Sequence, residues 1–328
     1  MDQEKITVVV PTYNNAPWLK RSLDSLMAQT YPYIEVIVVN DGSTDGTVAV
    51  LERYQAEYPS LRIIHKENGG VTSARLRGVA EATGSWIGFM DADDEIDPEM
   101  YARLFQNAMA HSAEISHCAH QIHFPDGRIE YVNNTGEILV QDHKAGLESL
   151  LRNEIEGSLC LKLYRRELFE GLAQWMDLTI RNNEDFLMNY YLFAGAKKSV
   201  FEGVCLYNYV LRKGSASYGG ITEYKIFDPI RARQNLLKDC SPDLQDEVRQ
   251  SMIRSMLFSY AQLTVNKQWR QYGDFRSRVR NMLKKERAYF HVLSLRNRVL
   301  SNMICVAPWA FHAAYRIYVM LFQREEQH

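Results

Sequence analysis

The sequence predicts an α/β protein with a mainly parallel β-sheet, helices on both faces of the sheet, and a helical carboxyl-terminal region. Within the first hundred residues, apolar runs rich in β-branched residues alternate four times with segments of helical periodicity. These strand-like runs contain few polar residues, which is typical of strands that are buried on both faces. Beyond Glu223 only helical patterns remain, separated by proline and glycine breaks.

Predicted strands and helices follow one another with short connections. The strand-like runs occupy 6–10, 34–39, 61–65 and 86–90, and apolar residues at helical spacing fill the intervals. Pro17, in the first interval, suits the first turn of a helix. Right-handed crossovers bring the carboxyl ends of such strands to one edge of the sheet, and open α/β sheets bind ligands at that edge.

Polar segments follow three of these strands directly, at 11–14, 40–43 and 91–94. Because all three reach the same edge, we expect them to form one ligand site. The third segment, Asp-Ala-Asp-Asp, crowds three carboxylates, which repel one another unless a cation or hydrogen-bond donors compensate them. Such oxygens suit a hard divalent cation. A solvated acidic turn before a helix is the alternative interpretation.

The expected ligand is a nucleotide whose phosphates are held through a metal ion. The motifs G-x-G-x-x-G and G-x-x-x-x-G-K-[ST] are both absent after the first strand, which argues against a glycine-rich phosphate cradle. Asp41 is suited to accept the imide N–H of a pyrimidine, and the ring of Tyr13 could stack on the base.

The motifs of this region resemble those of the family 2 glycosyltransferases. The match consists of V-V-V-P-T-Y-N-N, V-V-N-D-G-S-T-D-G-T, N-G-G-V-T-S-A-R-L-R-G and M-D-A-D-D, in the family's order and spacing. The resemblance implies the GT-A fold, a Rossmann-like nucleotide-sugar-binding fold, and a UDP-sugar donor. It also implies Mn2+ or Mg2+, bound by Asp93 and Asp91. One departure is Leu76, where the family usually has asparagine.

The same resemblance assigns the contacts to the nucleotide-sugar position by position. In the first hundred residues these contacts are Pro11, Thr12, Tyr13, Asn14, Asp41, Gly42, Arg75, Asp91, Ala92 and Asp93. Further along, Y-N-Y-V-L-R-K-G-S-A-S at 207–217 resembles a family segment that reaches the diphosphate, which implies that Arg212, Lys213 and Ser215 contact the phosphates. A solvated basic turn is the alternative interpretation of this segment.

Two adjacent carboxylates, Glu184 and Asp185, stand at the start of an apolar helical pattern. Carboxylates also complement the positive end of a helix dipole, and this is the alternative interpretation. The stretch resembles the E-D-x-x-[FL] motif of the family, which implies that Asp185 is the catalytic base and that Glu184 contacts a sugar. An inverting transfer needs such a base on the face of the sugar opposite the leaving diphosphate.

Residues 113–124 and 129–133 predict a β-hairpin that includes His117, His120 and His123. Alternation along a strand turns His120 to the face opposite the other two. We therefore expect exposed residues of a strand, or residues of an acceptor groove, rather than a zinc site.

The chain is predicted to divide near residue 220. Residues 1–220 would form the catalytic domain, with a donor-binding half at 1–112 and an acceptor and catalytic half at 113–220. Residues 221–328 would form a helical basic region, since from Arg249 onward there are 14 Lys or Arg against four Asp or Glu. The apolar segment 303–322 contains Pro308 and Arg316, so we expect it to lie on an anionic membrane surface or to pack in a core or homodimer interface.

Five scattered cysteines without a C-x-x-C motif favour reduced thiols, and the amino terminus leads directly into a strand. We therefore expect a cytoplasmic protein, which would be peripheral at the inner face of the cytoplasmic membrane if its carboxyl-terminal helices bind a membrane. No nucleic-acid partner is expected.

The predicted function is that of an inverting, metal-dependent hexosyltransferase. It would move a sugar from a UDP-sugar to a hydroxyl of a glycan or a lipid-linked saccharide in cell-surface polysaccharide synthesis. One alternative is a catalytically inactive protein that binds nucleotide-sugars or carbohydrates. Another is a nucleotidyltransferase on a related α/β fold, which would release pyrophosphate.

Overall fold

The computed structural model describes residues 4–212, 220–266 and 269–322. The chain divides into two compact units, Met1–Gly219 and Gly220–His328. The described part of the first unit contains a single ten-stranded mixed sheet. Its strands are β1 (Ile6–Thr12), β2 (Ile34–Asp41), β3 (Leu61–Lys66), β4 (Trp86–Phe89), β5 (Glu95–Ile96), β6 (Ile115–His123), β7 (Ile129–Val132), β8 (Ile138–Asp142), β9 (Lys162–Arg165) and β10 (Lys198–Val210).

The strand order is β3-β2-β1-β4-β9-β6-β10-β5, with β7 beside β6 and β8 beside β10. The first four strands are parallel, as their continuous apolar sequences predict, and every residue of β1 is buried. β9 is antiparallel to both β4 and β6, and it joins the parallel half to the second half of the sheet. The predicted hairpin is formed by β6 and β7.

The helices of this unit are α1 (Ala16–Met27), α2 (Thr47–Glu57), α3 (Val71–Glu81), α4 (Met100–His111), α5 (His143–Arg152) and α6 (Glu184–Gly195). α1 begins with Pro17 in its first turn and buries Leu19, Leu23 and Leu26. α3 packs closely on β1 at Gly78, where an added Cβ would collide with the side chain of Val9.

β10 extends further than its sequence suggests. The pattern indicates a strand over 199–204, but the strand continues to Val210, and Leu206 and Tyr207 are buried. Residues 207–210 therefore belong to the sheet rather than to a loop.

The second unit is helical where it is described. Its α-helices are α7 (Glu223–Asp239), α8 (Gln245–Val265), α9 (Gly273–Lys285), α10 (Leu295–Val306) and α11 (Pro308–Phe322). The predicted breaks near Pro242, Gly273 and Pro308 coincide with helix boundaries. α8 packs against α7, α9 and α11 around an apolar core that includes Ile253 and Leu283. Among the described helices, none is long and apolar enough to cross a membrane.

Candidate functional site

The loops that follow β1 and β2 meet at the carboxyl edge of the sheet. The register of these strands sets Thr12 beside Asn40. Asn14 joins the two loops, because its backbone N–H donates to Ser43 Oγ at 2.9 Å and its Oδ1 accepts from the backbone N–H of Thr44 at 2.8 Å. Its φ of 52° lies in the left-handed region that asparagine tolerates better than most residues.

The end of β1 presents a buried hydroxyl, that of Thr12, and a half-exposed ring, that of Tyr13. Thr12 is buried next to the buried Pro11, and its Oγ1 has no hydrogen-bond partner within the described residues. A buried hydroxyl is rarely left without a partner unless water or a ligand supplies one. The ring of Tyr13, the next residue, is about half exposed. This arrangement is compatible with the predicted contacts to a nucleoside.

Asp41 is engaged by the protein itself. The buried carboxylate accepts from the backbone N–H groups of Gly69 and Gly70, at 2.9 and 2.8 Å, and pairs with the ammonium of Lys66. It therefore fixes the loop that leads into α3, a role that the sequence did not indicate. Gly42 has φ 75°, and a Cβ added there would lie 2.9 Å from the backbone nitrogen of Asn68, in the loop that leads into α3.

The three carboxylates after β4 occupy different environments. Asp94 is buried and accepts from the Tyr207 hydroxyl at 2.7 Å and the Val210 N–H at 2.9 Å, so that it fastens the end of β10 to the acidic turn. The side chains of Asp91 and Asp93 are 37% and 23% exposed. Burial, together with the charge of Asp91, raises the pKa of both Asp93 and Asp94.

Arg212 lies against Asp93. Its Nε donates to Asp93 Oδ2 at 2.9 Å, its Nη2 donates to Asn15 Oδ1 at 3.3 Å, and its guanidinium lies over the ring of Trp18. The predicted phosphate contact is thus adjacent to the predicted metal ligand. Ser215 and Lys213, which were predicted to act with Arg212, lie outside the described residues.

Arg75 joins the acidic turn to the start of α6. Its guanidinium is buried, with Nη2 at 3.1 Å from Asp91 Oδ1 and Nη1 at 3.3 Å from Glu184 Oε1. Its Nε has no partner in the part of the chain that the structure describes. The predicted metal site and the predicted base region, far apart in sequence, are therefore bridged by one side chain. The sequence contained one sign that Arg75 faces the interior. Arg75 and Gly78 are three residues apart, which sets them on one face of α3, and this face is buried.

Glu184 and Asp185 form the first turn of α6, which follows Asn183 in the left-handed conformation. Burial and the neighbouring Asp185 raise the pKa of Glu184 to about 7, although Arg75 acts in the opposite direction. Burial also raises the pKa of Asp185, again against Arg75. Asp185 Oδ1 accepts from the Phe186 N–H at 2.9 Å, so it satisfies a donor of the first turn as well.

The residues of the acidic turn fit a hard divalent cation. Asp91 and Asp93 present partly exposed carboxylate oxygens, and the raised pKa of Asp93 indicates negative charge that the protein compensates incompletely. Ala92 between them is buried. No group of three or more His, Cys, Asp or Glu that could hold a metal occurs among the described residues. The chain would thus supply few ligands, as is usual for Mg2+ bound together with substrate phosphates.

Lys162 is a buried charge that no sequence motif indicates. It is completely buried on β9, and its ammonium donates to the carbonyl oxygens of Glu156 and Ser158, both at 2.6 Å. Burial lowers its pKa to about 8. Two carbonyl acceptors partly replace the water that this ammonium loses.

Comparison with known proteins identifies the class of this protein. A model of glycosyl transferase family 2 matches residues 7–172, and the chain belongs to this family. Over 208 residues it is 35% identical to the uncharacterized glycosyltransferase EpsJ of Bacillus subtilis, an alignment that covers 62% of this chain and 60% of EpsJ. The chain thus spans less than two thirds of the length of this relative.

Solved structures share the fold. Staphylococcus aureus TarS 1–349 in complex with UDP-GlcNAc matches with a TM-score of 0.70 at 18% identity, over 98% of this chain and 93% of that one. The mannosyltransferase PcManGT of Pyrobaculum calidifontis, in complex with GDP-Man and Mn2+, matches with a TM-score of 0.55 at 18% identity, over 98% and 88%. The predicted GT-A architecture with its helical carboxyl-terminal region is confirmed.

Proposed function

We propose that this protein is an inverting glycosyltransferase that uses a UDP-sugar donor and Mn2+ or Mg2+. The observation that carries the proposal is the Arg75 bridge, because it holds Asp91 and Glu184 on one buried guanidinium. A leaving-group site and a base site must face each other across one sugar, and the contacts of Arg75 with both candidate sites support such an arrangement. The UDP-GlcNAc complex of TarS and the Mn2+ complex of PcManGT support the choice of donor class and metal.

The donor half of the site would bind the nucleotide. Thr12 Oγ1, which is buried without a partner among the described residues, offers a hydrogen bond to the nucleoside, and the half-exposed Tyr13 ring offers a stacking face. Asp91 and Asp93 would hold the cation, which when bound offsets the charge of the leaving diphosphate. Arg212, within reach of Asp93, would contact the phosphate oxygens.

The acceptor half would carry out the proton transfer. Asp185 accepts the proton of the acceptor hydroxyl. At the same time the hydroxyl oxygen bonds to the anomeric carbon, and the bond from that carbon to the diphosphate breaks. Glu184 is paired with Arg75, whereas Asp185 makes no ion pair within the described residues, so we assign the role of base to Asp185. Its raised pKa brings it closer to the working pH, which favours a general base.

The first test is a screen of nucleotide-sugars by thermal unfolding and product analysis. We expect UDP-sugars to raise the melting temperature in the presence of Mn2+, because a ligand of the folded state stabilises it. UDP should be released, slowly by hydrolysis and faster with a saccharide acceptor. Binding without turnover would favour the inactive binding protein, and release of pyrophosphate would favour the nucleotidyltransferase.

We also propose that the helical unit contacts an anionic membrane surface, which would bring the enzyme to a lipid-linked acceptor. Apolar side chains are strongly exposed on α10 and α11, with Leu295 and Trp309 each 76% exposed and Val306 exposed between them. Arg296 lies beside Leu295 in a region with a surplus of positive charge. Exposed apolar groups flanked by basic residues are typical of helices that lie in the headgroup region of a bilayer.

A further inference from the structure

A second site is suggested by a cavity in the first unit, outside the cluster formed by Arg75 and the acidic turn. It has a volume of about 160 Å³ and lies where β6, β8 and β9 meet α5 and the loop that follows α5. His117 and Lys162 contribute to its wall from β6 and β9, and Gln141 from β8. A cavity of about 150 Å³ is large enough for a six-membered ring. The cavity can thus hold one ring of a ligand.

Two buried side chains of the wall each carry one polar atom without a hydrogen-bond partner among the described residues. His117 Nε2 has none within the described residues, and neither has Gln141 Oε1. The amide nitrogen of Gln141 donates to Ser149 Oγ at 2.7 Å, so whichever way the amide is turned, one of its ends stays unpaired. Unpaired buried polar atoms cost free energy, and a ligand or water that pairs with them recovers it.

Charges of both signs line the cavity, so that an ionic ligand of either sign would be repelled by one of them. Lys162 contributes a buried ammonium that would repel a cation, and no cluster of metal-binding side chains exists in the described part of the chain. Glu154 and Glu156, both exposed, line the cavity and would repel an anion. Burial and the charge of Lys162 lower the pKa of His117 well below its ordinary value, so its imidazole is neutral, with one donor and one acceptor nitrogen. The ligand that fits is neutral and carries hydroxyl groups.

One loop separates this cavity from the proposed base. Residues 154–156 line the cavity, and Lys162 Nζ holds the carbonyl of Glu156. The next residue, Gly157, accepts at its carbonyl from Asn189 Nδ2 of α6 at 2.6 Å, and its Cα faces the side chain of Phe186, which directly follows Asp185. The wall of the cavity is therefore fastened to the helix that begins with the proposed catalytic carboxylates.

We propose that this cavity binds a neutral sugar unit of the acceptor saccharide, one that neighbours the unit whose hydroxyl reacts. The inference rests on the proposed glycosyl transfer and adds to it a second point of recognition. A sugar ring offers several hydroxyl groups, each able to donate and to accept. It would pair with the unpaired atoms of His117 and Gln141 and with the more exposed lining residues His120 and Glu156.

The test uses the full-length protein labelled with 13C at histidine and titrated with the methyl glycosides of glucose, galactose and N-acetylglucosamine. We expect at least one glycoside to shift the His117 and His120 resonances and to leave those of His111 and His143, which do not line the cavity, in place. His117→Phe keeps a ring beside Phe193 and Phe201 but removes the nitrogens. It should weaken binding about tenfold, as expected for one hydrogen bond.

His120→Phe, at a half-buried position, is the second variant, and it should also weaken glycoside binding. Stabilisation of each variant by UDP with Mn2+ should equal that of the wild type, which also shows that the variant is folded. The inference is overturned if none of the three glycosides shifts either resonance, or if both variants bind as the wild type does. If UDP-sugars neither bind nor turn over while the glycosides enter the cavity, the proposed transfer fails and the cavity site stands.

Discussion

Arg75 is the residue on which the arrangement of the candidate site depends. It is buried, and it pairs with Asp91 on one side and Glu184 on the other. Removing one partner of a buried charge cluster leaves the other charges uncompensated. We expect Arg75→Met to destabilise the fold by about 3–5 kcal/mol, as measured by thermal or denaturant unfolding. Arg77→Met, at an exposed ion pair on the same helix, is the matched control and should stay within about 0.5 kcal/mol. Equal stability of the two variants would contradict the bridge.

Glu184 makes stability depend on pH. Its pKa in the folded protein is raised to about 7 from 4.5, so the folded state binds more protons than the unfolded state between these values. Stability therefore falls as pH rises through this window. Three carboxylates, Asp91, Glu184 and Asp185, surround the single Arg75 guanidinium, so Arg75 stays compensated when one of these negative charges is removed. We therefore expect Glu184→Gln to increase the free energy of unfolding at pH 8 by about 1–3 kcal/mol and to have little effect below pH 4.5. A pH-independent effect of Glu184→Gln would contradict the raised pKa.

Arg212 and a bound cation would compete for Asp93, because the Arg212 guanidinium already pairs with that carboxylate. We expect Arg212→Gln to tighten Mn2+ binding without nucleotide, since a repelling charge is removed, and to weaken UDP binding, since a phosphate contact is lost. Electron paramagnetic resonance of free Mn2+ and calorimetry with UDP measure the two affinities. Arg21→Gln removes a nearby charge that pairs with Glu95 instead, and should change both affinities less. Unchanged Mn2+ affinity in Arg212→Gln would count against the competition.

At the scale of elements, the local sequence pattern was sufficient to predict the position of each strand or helix that has its own hydrophobic periodicity. The four strands from β1 to β4 and the hairpin of β6 and β7 lie where the sequence predicts them. The length of β10 was underestimated because its last residues are held by a residue distant in sequence. Asp94 accepts from the Tyr207 hydroxyl and the Val210 N–H. No periodicity within 198–210 can reveal a contact with a turn more than a hundred residues earlier.

The helices α10 and α11 carry the prediction of membrane contact. We expect the protein to sediment with vesicles that contain anionic phosphatidylglycerol and to stay in solution with neutral phosphatidylcholine. Salt should weaken the binding, since it screens surface charge. Trp309→Ser removes an exposed aromatic side chain and should weaken it too, whereas Phe258→Ser, exposed on α8, should not. Equal sedimentation with both vesicle types would contradict an electrostatic contact, and a concentration-dependent dimer that Trp309→Ser abolishes would favour a homodimer interface.

For the molecule as a whole, the sequence predicted the fold class and the residues of the candidate site, and the structure added their mutual arrangement. Motifs predict roles for Asp91, Asp93 and Asp185 one at a time, because each has a local signature. The Arg75 bridge, the engagement of Asp41 by Lys66 and the burial of Lys162 depend on contacts between distant segments. Such contacts have no local signature, and only the packed structure reveals them.

The most direct test of glycosyl transfer at this site compares Asp185→Asn with the wild type in two measurements, Mn2+-dependent binding of a UDP-sugar and transfer to a saccharide acceptor. The amide keeps the shape of the carboxylate and cannot accept the proton. We expect donor binding to be unchanged and transfer to fall by about 10²–10⁴-fold. Asp93→Ala, which removes a proposed metal ligand, should instead lose Mn2+-dependent donor binding. Transfer by Asp185→Asn at the wild-type rate would contradict the role of Asp185 as the catalytic base.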